Sequence, residues 1–253
     1  MSSKLSTPAV FTPEQFVAHR GLQSQYVENS LSGFQAAILA GALHVEMDIQ
    51  LSKDGIAMLY HDVTLDRVSG IKGSIFDFAC SHLTDLPASE PIRLGDRYAS
   101  QTIAPLYALG EIAKQHPYVT FYIELKEDSI VRHGLDTCLS AIKNAVETFH
   151  HQCVLISFDP TAVLNAKQHF GFSQTGLVFR HWSKREALYA ETHADIAYIN
   201  YKRIRSTRIT SSVPLVVYEV ANPTLAKTLL QRGVAKIETF AIDRLIESLC
   251  QKT

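Results

Sequence analysis

Val45-Glu46-Met47-Asp48-Ile49-Gln50-Leu51-Ser52-Lys53-Asp54-Gly55-Ile56-Ala57-Met58-Leu59-Tyr60-His61 is the stretch on which the strand count turns. Val45, Met47 and Ile49 alternate with Glu46 and Asp48, so the two acids share one face of a strand and the apolar residues share the other. A single such pair is most simply an outward, solvated face. Here the apolar neighbours need covering. If helices cover them, the acids point into a barrel, where an unpaired charge is costly. Asp54-Gly55 is a two-residue hairpin signal, because a type I′ turn needs positive φ at both positions. With that loop, Lys53 faces Ile56 and His61 falls opposite Asp48, on the same face. Residues 56–61 are then a return arm outside the barrel, not one of its strands, and they bring His61 beside Asp48.

Outward from this stretch, short apolar runs alternate with helical patterns, as in a parallel α/β protein. Core strands are expected at 17–19, 45–48, 121–125, 154–158, 176–179, 196–200, 215–220 and 236–239. Helices are expected at 32–39, capped by Asn29 or Ser30, and at 106–115, 136–149, 161–169, 184–192, 223–231 and 243–250. Gly41 and Gly233 stand where helices should end. Eight strand–helix units specify a (β/α)8 TIM-type barrel, taken as one domain over 1–253, with turn-rich residues 62–104 as a small insertion after the second strand. Only a short helix fits the polar, basic stretch 202–212.

A formal net charge of −1 leaves no global basic field for nucleic acid. No apolar run approaches the roughly 20 residues of a membrane span, and Met1-Ser2-Ser3-Lys4-Leu5 lacks the apolar core of a leader. Cys80, Cys138, Cys153 and Cys250 are scattered without a metal or redox spacing. Reduced thiols in a cytoplasmic protein are the expectation.

Glu124 and Lys126 share one face of the third strand, beside the strand that carries Glu46 and Asp48. Glu46, Asp48 and Glu124 together offer an all-oxygen site for one hard divalent cation, Mg²⁺ or Ca²⁺ rather than zinc. His19 ends the first strand, and the attached Arg20 is shaped for phosphate oxygens. Gly21 permits the tight backbone that such a turn needs. The remaining histidines lack comparable surroundings. Two histidines for proton transfer, three acids for a cation, and Arg20 with Lys126 for an anion are what metal-assisted phosphodiester cleavage requires. Lys202, Arg203, Arg205 and Arg208 form the one dense basic cluster, either a solvated loop or an anion-binding rim loop.

Ala18-His19-Arg20-Gly21, Glu28-Asn29-Ser30, Gly41-Ala42, the block from Val45 to Gly55 and His61-Asp62-Val63-Thr64-Leu65-Asp66-Arg67 resemble the glycerophosphodiester phosphodiesterases. The likeness resumes at Ile123-Glu124-Leu125-Lys126, at Ile156-Ser157-Phe158 and, weakly, at Val217-Tyr218-Glu219-Val220. It implies a barrel of the phospholipase C-like type. His19 and His61 would be the acid–base pair, with His19 as base and His61 as acid. Glu46, Asp48 and Glu124 would hold Mg²⁺ or Ca²⁺. Arg20 and Lys126 would bind the phosphate, and Phe158 and Tyr218 would line the glycerol pocket. The implied reaction takes a small-molecule glycerophosphodiester through a cyclic phosphate to sn-glycerol 3-phosphate and an alcohol. One rival is a lyase that stops at the cyclic phosphate. Another is an inactive barrel acting as a binding protein, which should have lost a histidine or carboxylate, and none is lost.

The chain departs from the family near its C-terminus. Tyr218-Glu219-Val220-Ala221 stands where Trp-Thr-Val-Asn is common, and Glu238-Thr239-Phe240 where Ile-Thr-Asp is common. With Tyr218 facing the pocket, Glu219 is expected to face the helices. There it would pair with a basic side chain from 202–208, as a structural group and not a metal ligand.

Overall fold

The computed structural model describes residues 11–250, so the Met1–Leu5 stretch lies outside the described residues. Its strands are β1 (Phe16–Ala18), β2 (His44–Leu51), β3 (Ala57–Leu59), β4 (Thr120–Leu125), β5 (Cys153–Ser157), β6 (Thr175–Val178), β7 (Ile196–Asn200), β8 (Leu215–Tyr218) and β9 (Lys236–Thr239). All but β3 run parallel to their neighbours, and the pairings of β1 with β9 and with β2 close eight strands into a ring. This is the expected (β/α)8 barrel. β3 lies antiparallel on β2, outside the ring.

The ladder begins one residue earlier than expected at β1, β2, β4, β5 and β6. Pairing decides this: Phe16 partners Ile237, Phe121 partners Cys153 and Leu155 partners Thr175. His19 and Phe158 therefore leave their strands and stand on the rim. The His19 amide still donates to the Thr239 carbonyl at 2.9 Å.

The hairpin is present, but its register differs by one residue. Ile49 partners Leu59 and Leu51 partners Ala57, so Tyr60 falls opposite Asp48 in place of His61. The loop has three residues, Lys53, Asp54 and Gly55, with Gly55 at φ +79°. Ser52 sets this closure. Its amide donates to the Ile56 carbonyl at 2.9 Å, and its hydroxyl accepts from the Ile56 amide at 3.0 Å and donates to Asp54 at 2.6 Å. His61 is carried one step beyond the ladder, where the Gln50 side chain donates to its carbonyl at 3.1 Å.

Apolar alternation builds two layers. Val45, Met47 and Ile49 are fully buried with Phe34, Leu125 and Leu139 between strands and helices. Val17, Tyr122, Val154, Ile156, Val178, Tyr198 and Val216 fill the barrel interior. A third cluster of Met58, Tyr60, Leu65, Val68, Ile75, Leu83 and Ile103, with Val27, forms under 62–104. Ser30, not Asn29, caps the first helix, Leu31–Leu39, accepting from the Gly33 amide at 3.1 Å. The expected helix 136–149 ends earlier, as Leu135–Ala145, and Phe149 falls in a 3-10 segment at φ −131°. A short helix, Glu127–His133, follows Lys126. After β7 only the 3-10 turn Tyr201–Arg203 forms. No helix among the described residues is long and apolar enough to cross a membrane. The four cysteines are free thiols.

Gly176 marks a tight place in the barrel wall. A Cβ there would lie 2.7 Å from the Ile156 Cγ2 and 2.8 Å from the Ile196 Cγ2. Gly176→Ala should therefore lower stability by roughly 1–3 kcal/mol, read as a lower urea midpoint at unchanged m-value. An unchanged midpoint would show that the two isoleucines move aside freely.

Candidate active site

Pairing of β2 with β4 sets Asp48 directly beside Glu124, while the β1–β9 pairing puts the end of β1 beside Thr239. His19, Arg20, Asp48, His61, Glu124, Lys126, Phe158 and Tyr218 then line one cavity of about 140 Å³ at the C-terminal ends of the strands. Glu46 lies beneath it, 1% exposed. One oxygen each from Glu46, Asp48 and Glu124 fall within 4.8 Å of one another. The structure thus gathers every residue singled out for chemistry.

Asp48 is the best-supported acid. Arg20 Nε lies 2.9 Å and Lys126 Nζ 3.3 Å from its carboxylate. The Asn29 amide donates to the carboxylate at 3.0 Å and accepts from the Asp48 backbone N–H at 3.0 Å. Burial opposes the charge on Asp48. Arg20 and Lys126, with His61 and Asn29, outweigh it and hold the carboxyl far below the usual carboxylate range. Glu46 has the opposite balance. Burial, then the nearby Asp48 and Glu238, push its carboxyl well above that range. The Arg20 amide donates to one Glu46 oxygen at 3.1 Å, and the other is buried with no hydrogen-bond partner. An all-oxygen donor set with an orphaned buried oxygen fits a hard divalent cation.

His61 reaches the same cavity through a different support. Its Nδ1 hydrogen-bonds Asp62 at 2.6 Å, which leaves Nε2 for the cavity. Arg67 donates to Asp62 at 2.7 Å and twice to Glu28 at 2.7 Å, and Glu28 also accepts from Arg20 at 3.1 Å. Burial alone would raise the Asp62 carboxyl, but the His61 and Arg67 bonds hold it well below its usual value. An unbroken polar chain therefore runs Asp48–Arg20–Glu28–Arg67–Asp62–His61. The roles of Glu28, Asn29, Asp62 and Arg67 are not read from pattern alone, although all four lie inside the quoted motif blocks. Arg20 and Asn29 adopt left-handed backbone at φ +56° and +52°, which turns both side chains toward Asp48.

The other wall carries His19, Phe240, Glu238 and Glu219. His19 stacks on Phe240, with ring centroids 4.6 Å apart. Its Nε2 lies 3.4 Å from Glu238 and 3.8 Å from Glu46, while its Nδ1 is buried without a partner. Burial, then Arg20, hold the His19 pKa well below its ordinary value, so the ring is neutral. Glu238 is 3% exposed and lines the cavity where the family pattern places an apolar residue. Glu219 corrects the expectation made for it. It is exposed, lines the same cavity, and accepts from the Asn200 side chain at 2.9 Å, with no basic partner among the described residues. The cause is local: φ +66° at Glu219 breaks strand alternation after Tyr218 and turns the side chain away from the helices.

The profile of the Glycerophosphoryl diester phosphodiesterase family matches residues 19–239. A glycerophosphodiester phosphodiesterase of Caldanaerobacter subterraneus is 29% identical over 165 residues, 65% of this chain and 66% of that protein. One from Bacillus altitudinis is 33% identical over 133 residues, 52% of each chain. The alignments thus span between half and two thirds of these relatives' lengths. Among solved structures, an Oleispira antarctica phosphodiesterase in complex with the product sn-glycerol-3-phosphate has the same fold. Its TM-score is 0.81 at 22% identity, covering 92% of this chain and 96% of that one.

Burial, then Glu124 and Asp48, push the Glu238 carboxyl well above its usual range. The folded chain therefore keeps a proton that the unfolded chain releases. The stability tied to that proton is full below the unfolded value of 4.5 and is lost as pH rises above it. In metal-free protein, Glu238→Gln should raise the melting temperature at about pH 8 and leave it nearly unchanged at about pH 4. Equal shifts at both pH values, in thermal melts with chelator present, would trace the effect to packing instead of charge.

Proposed function

This chain belongs to the glycerophosphoryl diester phosphodiesterase family, and we propose that it hydrolyses glycerophosphodiesters to sn-glycerol 3-phosphate and an alcohol. The observation that carries this reading is the convergence of both histidines, Asp48 and Glu124 on one cavity at the C-terminal rim, with Glu46 directly beneath, where barrels of this kind place their chemistry. The Oleispira antarctica structure holds sn-glycerol-3-phosphate, and Arg20 and Lys126 offer such a ligand its cations here. In this reading the whole chain is one catalytic unit, and 62–104 supports the His61 side.

Glu46, Asp48 and Glu124 would hold one divalent cation, Mg²⁺ or Ca²⁺. Bound there, it would polarise the glycerol 2-hydroxyl and a phosphate oxygen. His19, buried and neutral, is the base. It takes the 2-hydroxyl proton as that oxygen forms its bond to phosphorus. His61, with Nδ1 fixed on Asp62, is the acid. Its Nε2 protonates the departing alcohol oxygen as the phosphorus–oxygen bond breaks. The product of this step is a cyclic phosphate. Water opens the ring with the histidine roles exchanged, which restores both protons. Arg20 and Lys126 stabilise the charge on the phosphate oxygens. Phe158 and Tyr218 flank the glycerol.

His19→Ala and His61→Ala should each lower kcat by roughly 10²–10⁴-fold with glycerophosphocholine as substrate. Folded variants that kept wild-type turnover would remove these histidines from the chemistry. Excess EDTA should abolish turnover, and added Mg²⁺ or Ca²⁺ should restore it. Full activity in EDTA would refute the cation's part. Phosphorus NMR of the products should end at glycerol 3-phosphate, whereas a persistent cyclic phosphate would make the chain a lyase.

A further inference from the structure

A second concavity, of about 370 Å³, opens on the same rim beyond Phe158. Arg180, His181, Trp182, Lys202, Arg203 and Arg205 line it, and no carboxylate does. These residues come from the segments that follow β6 and β7. Arg180 is neutralised by Glu127 and lies over the Phe158 ring at 4.2 Å. Lys202, Arg203 and Arg205 have no carboxylate partner among the described residues. Three like charges held around one hollow repel each other, and an anion seated there would relieve the repulsion. The loop that carries them is tied down. Asn200 Oδ1 accepts from the Lys202 amide at 3.1 Å, and Arg232 donates to the Thr207 carbonyl at 3.0 Å. The opposite side is set by Trp182, with the Arg185 guanidinium over its ring at 4.2 Å.

A groove on the same rim shares lining residues with both this hollow and the active site. His61, Lys126, Phe158 and Arg180 line it, together with the carboxylates of Asp62, Glu127 and Asp128. Arg180 also lines the basic hollow, so the two spaces adjoin. In the mechanism above, the alcohol leaves from the His61 side. A substrate's alcohol portion would therefore run from His61 past Phe158 and end among Lys202, Arg203 and Arg205. We infer that this basic hollow is a subsite for a phosphate carried by the alcohol portion of the substrate. This inference rests on the hydrolase reading and names its substrate class: glycerophosphodiesters whose alcohol bears a further phosphate, in preference to uncharged or cationic alcohols.

The test compares glycerophosphoinositol with glycerophosphoinositol 4-phosphate on the purified chain, at equal ionic strength. The two differ only in the added phosphate. That phosphate should lower KM by about 10-fold or more, the scale of one to two charge-assisted contacts. In a Lys202→Ala/Arg203→Ala/Arg205→Ala variant the two KM values should converge, while turnover of glycerophosphoinositol stays close to wild type. The only tryptophan, Trp182, gives a readout that needs no catalysis. Its fluorescence should respond to inositol 4-phosphate but not to inositol, and the triple variant should lose the response. Equal KM values for both substrates in wild type, with Trp182 unmoved, would overturn the subsite. If neither substrate is turned over, the hydrolase reading fails, and the Trp182 titration still decides the subsite.

Discussion

Asp48 carries a full negative charge inside a barrel wall, and much of the surrounding structure answers to that one burial. Removing one partner of such a buried ion pair typically costs about 3–5 kcal/mol, because the other charge is left unbalanced. Arg20, Lys126 and Asn29 all converge on Asp48. Arg20 reaches it from a left-handed backbone, and Gly21 follows with its own positive φ, where a Cβ would meet the Gly33 carbonyl carbon at 2.8 Å. The His19-Arg20-Gly21 turn is thus shaped by an acid that lies on the next strand.

Compensation continues outward from Arg20. Its second carboxylate partner is Glu28, itself buried, and Glu28 is satisfied by Arg67 from the segment after β3. Arg67 also holds Asp62, which holds His61. Residues 62–104 therefore do more than cover the rim. They complete the charge balance of the barrel acids and set the orientation of one histidine. The other histidine is supported differently: its Nδ1 is unpaired, its Nε2 lies 3.4 Å from the buried Glu238, and its ring stacks on Phe240. One imidazole rests on a carboxylate that can balance positive charge, and the other is held neutral. This asymmetry gives them different aptitudes for giving and taking protons.

The wall formed by β8 and β9 carries the residues at which the sequence departs from the family's common pattern, 218–221 and 238–240. Glu238 adds a buried carboxylate beside His19, and Phe240 fills space against the same ring. Glu219 adds charge to the cavity mouth. Farther along the rim the sign reverses, with Lys202, Arg203 and Arg205 around a separate hollow.

The sequence by itself determined the barrel, the inward face of β2, and the identity of the converging groups. Alternation of Val45, Met47 and Ile49 with Glu46 and Asp48 is a local signal, and a strand's two-residue period converts it directly into direction. The ordered motif blocks around His19, Asp48, His61 and Lys126 carried the family likeness for the same reason: each is contiguous. Tertiary structure alone decided what depends on pairing between distant segments. The hairpin register turned on the Ser52 side chain closing onto Ile56, one residue away from the turn that Asp54-Gly55 suggests. The side chosen by Glu219 turned on a single positive φ that interrupts alternation. The partners of Glu28 and Arg67 lie far apart in the chain, and which charge meets which is settled only when the segments pack. An acid's need for a partner is legible in a sequence, but the partner's identity is a matter of distance, and distance exists only in the folded chain.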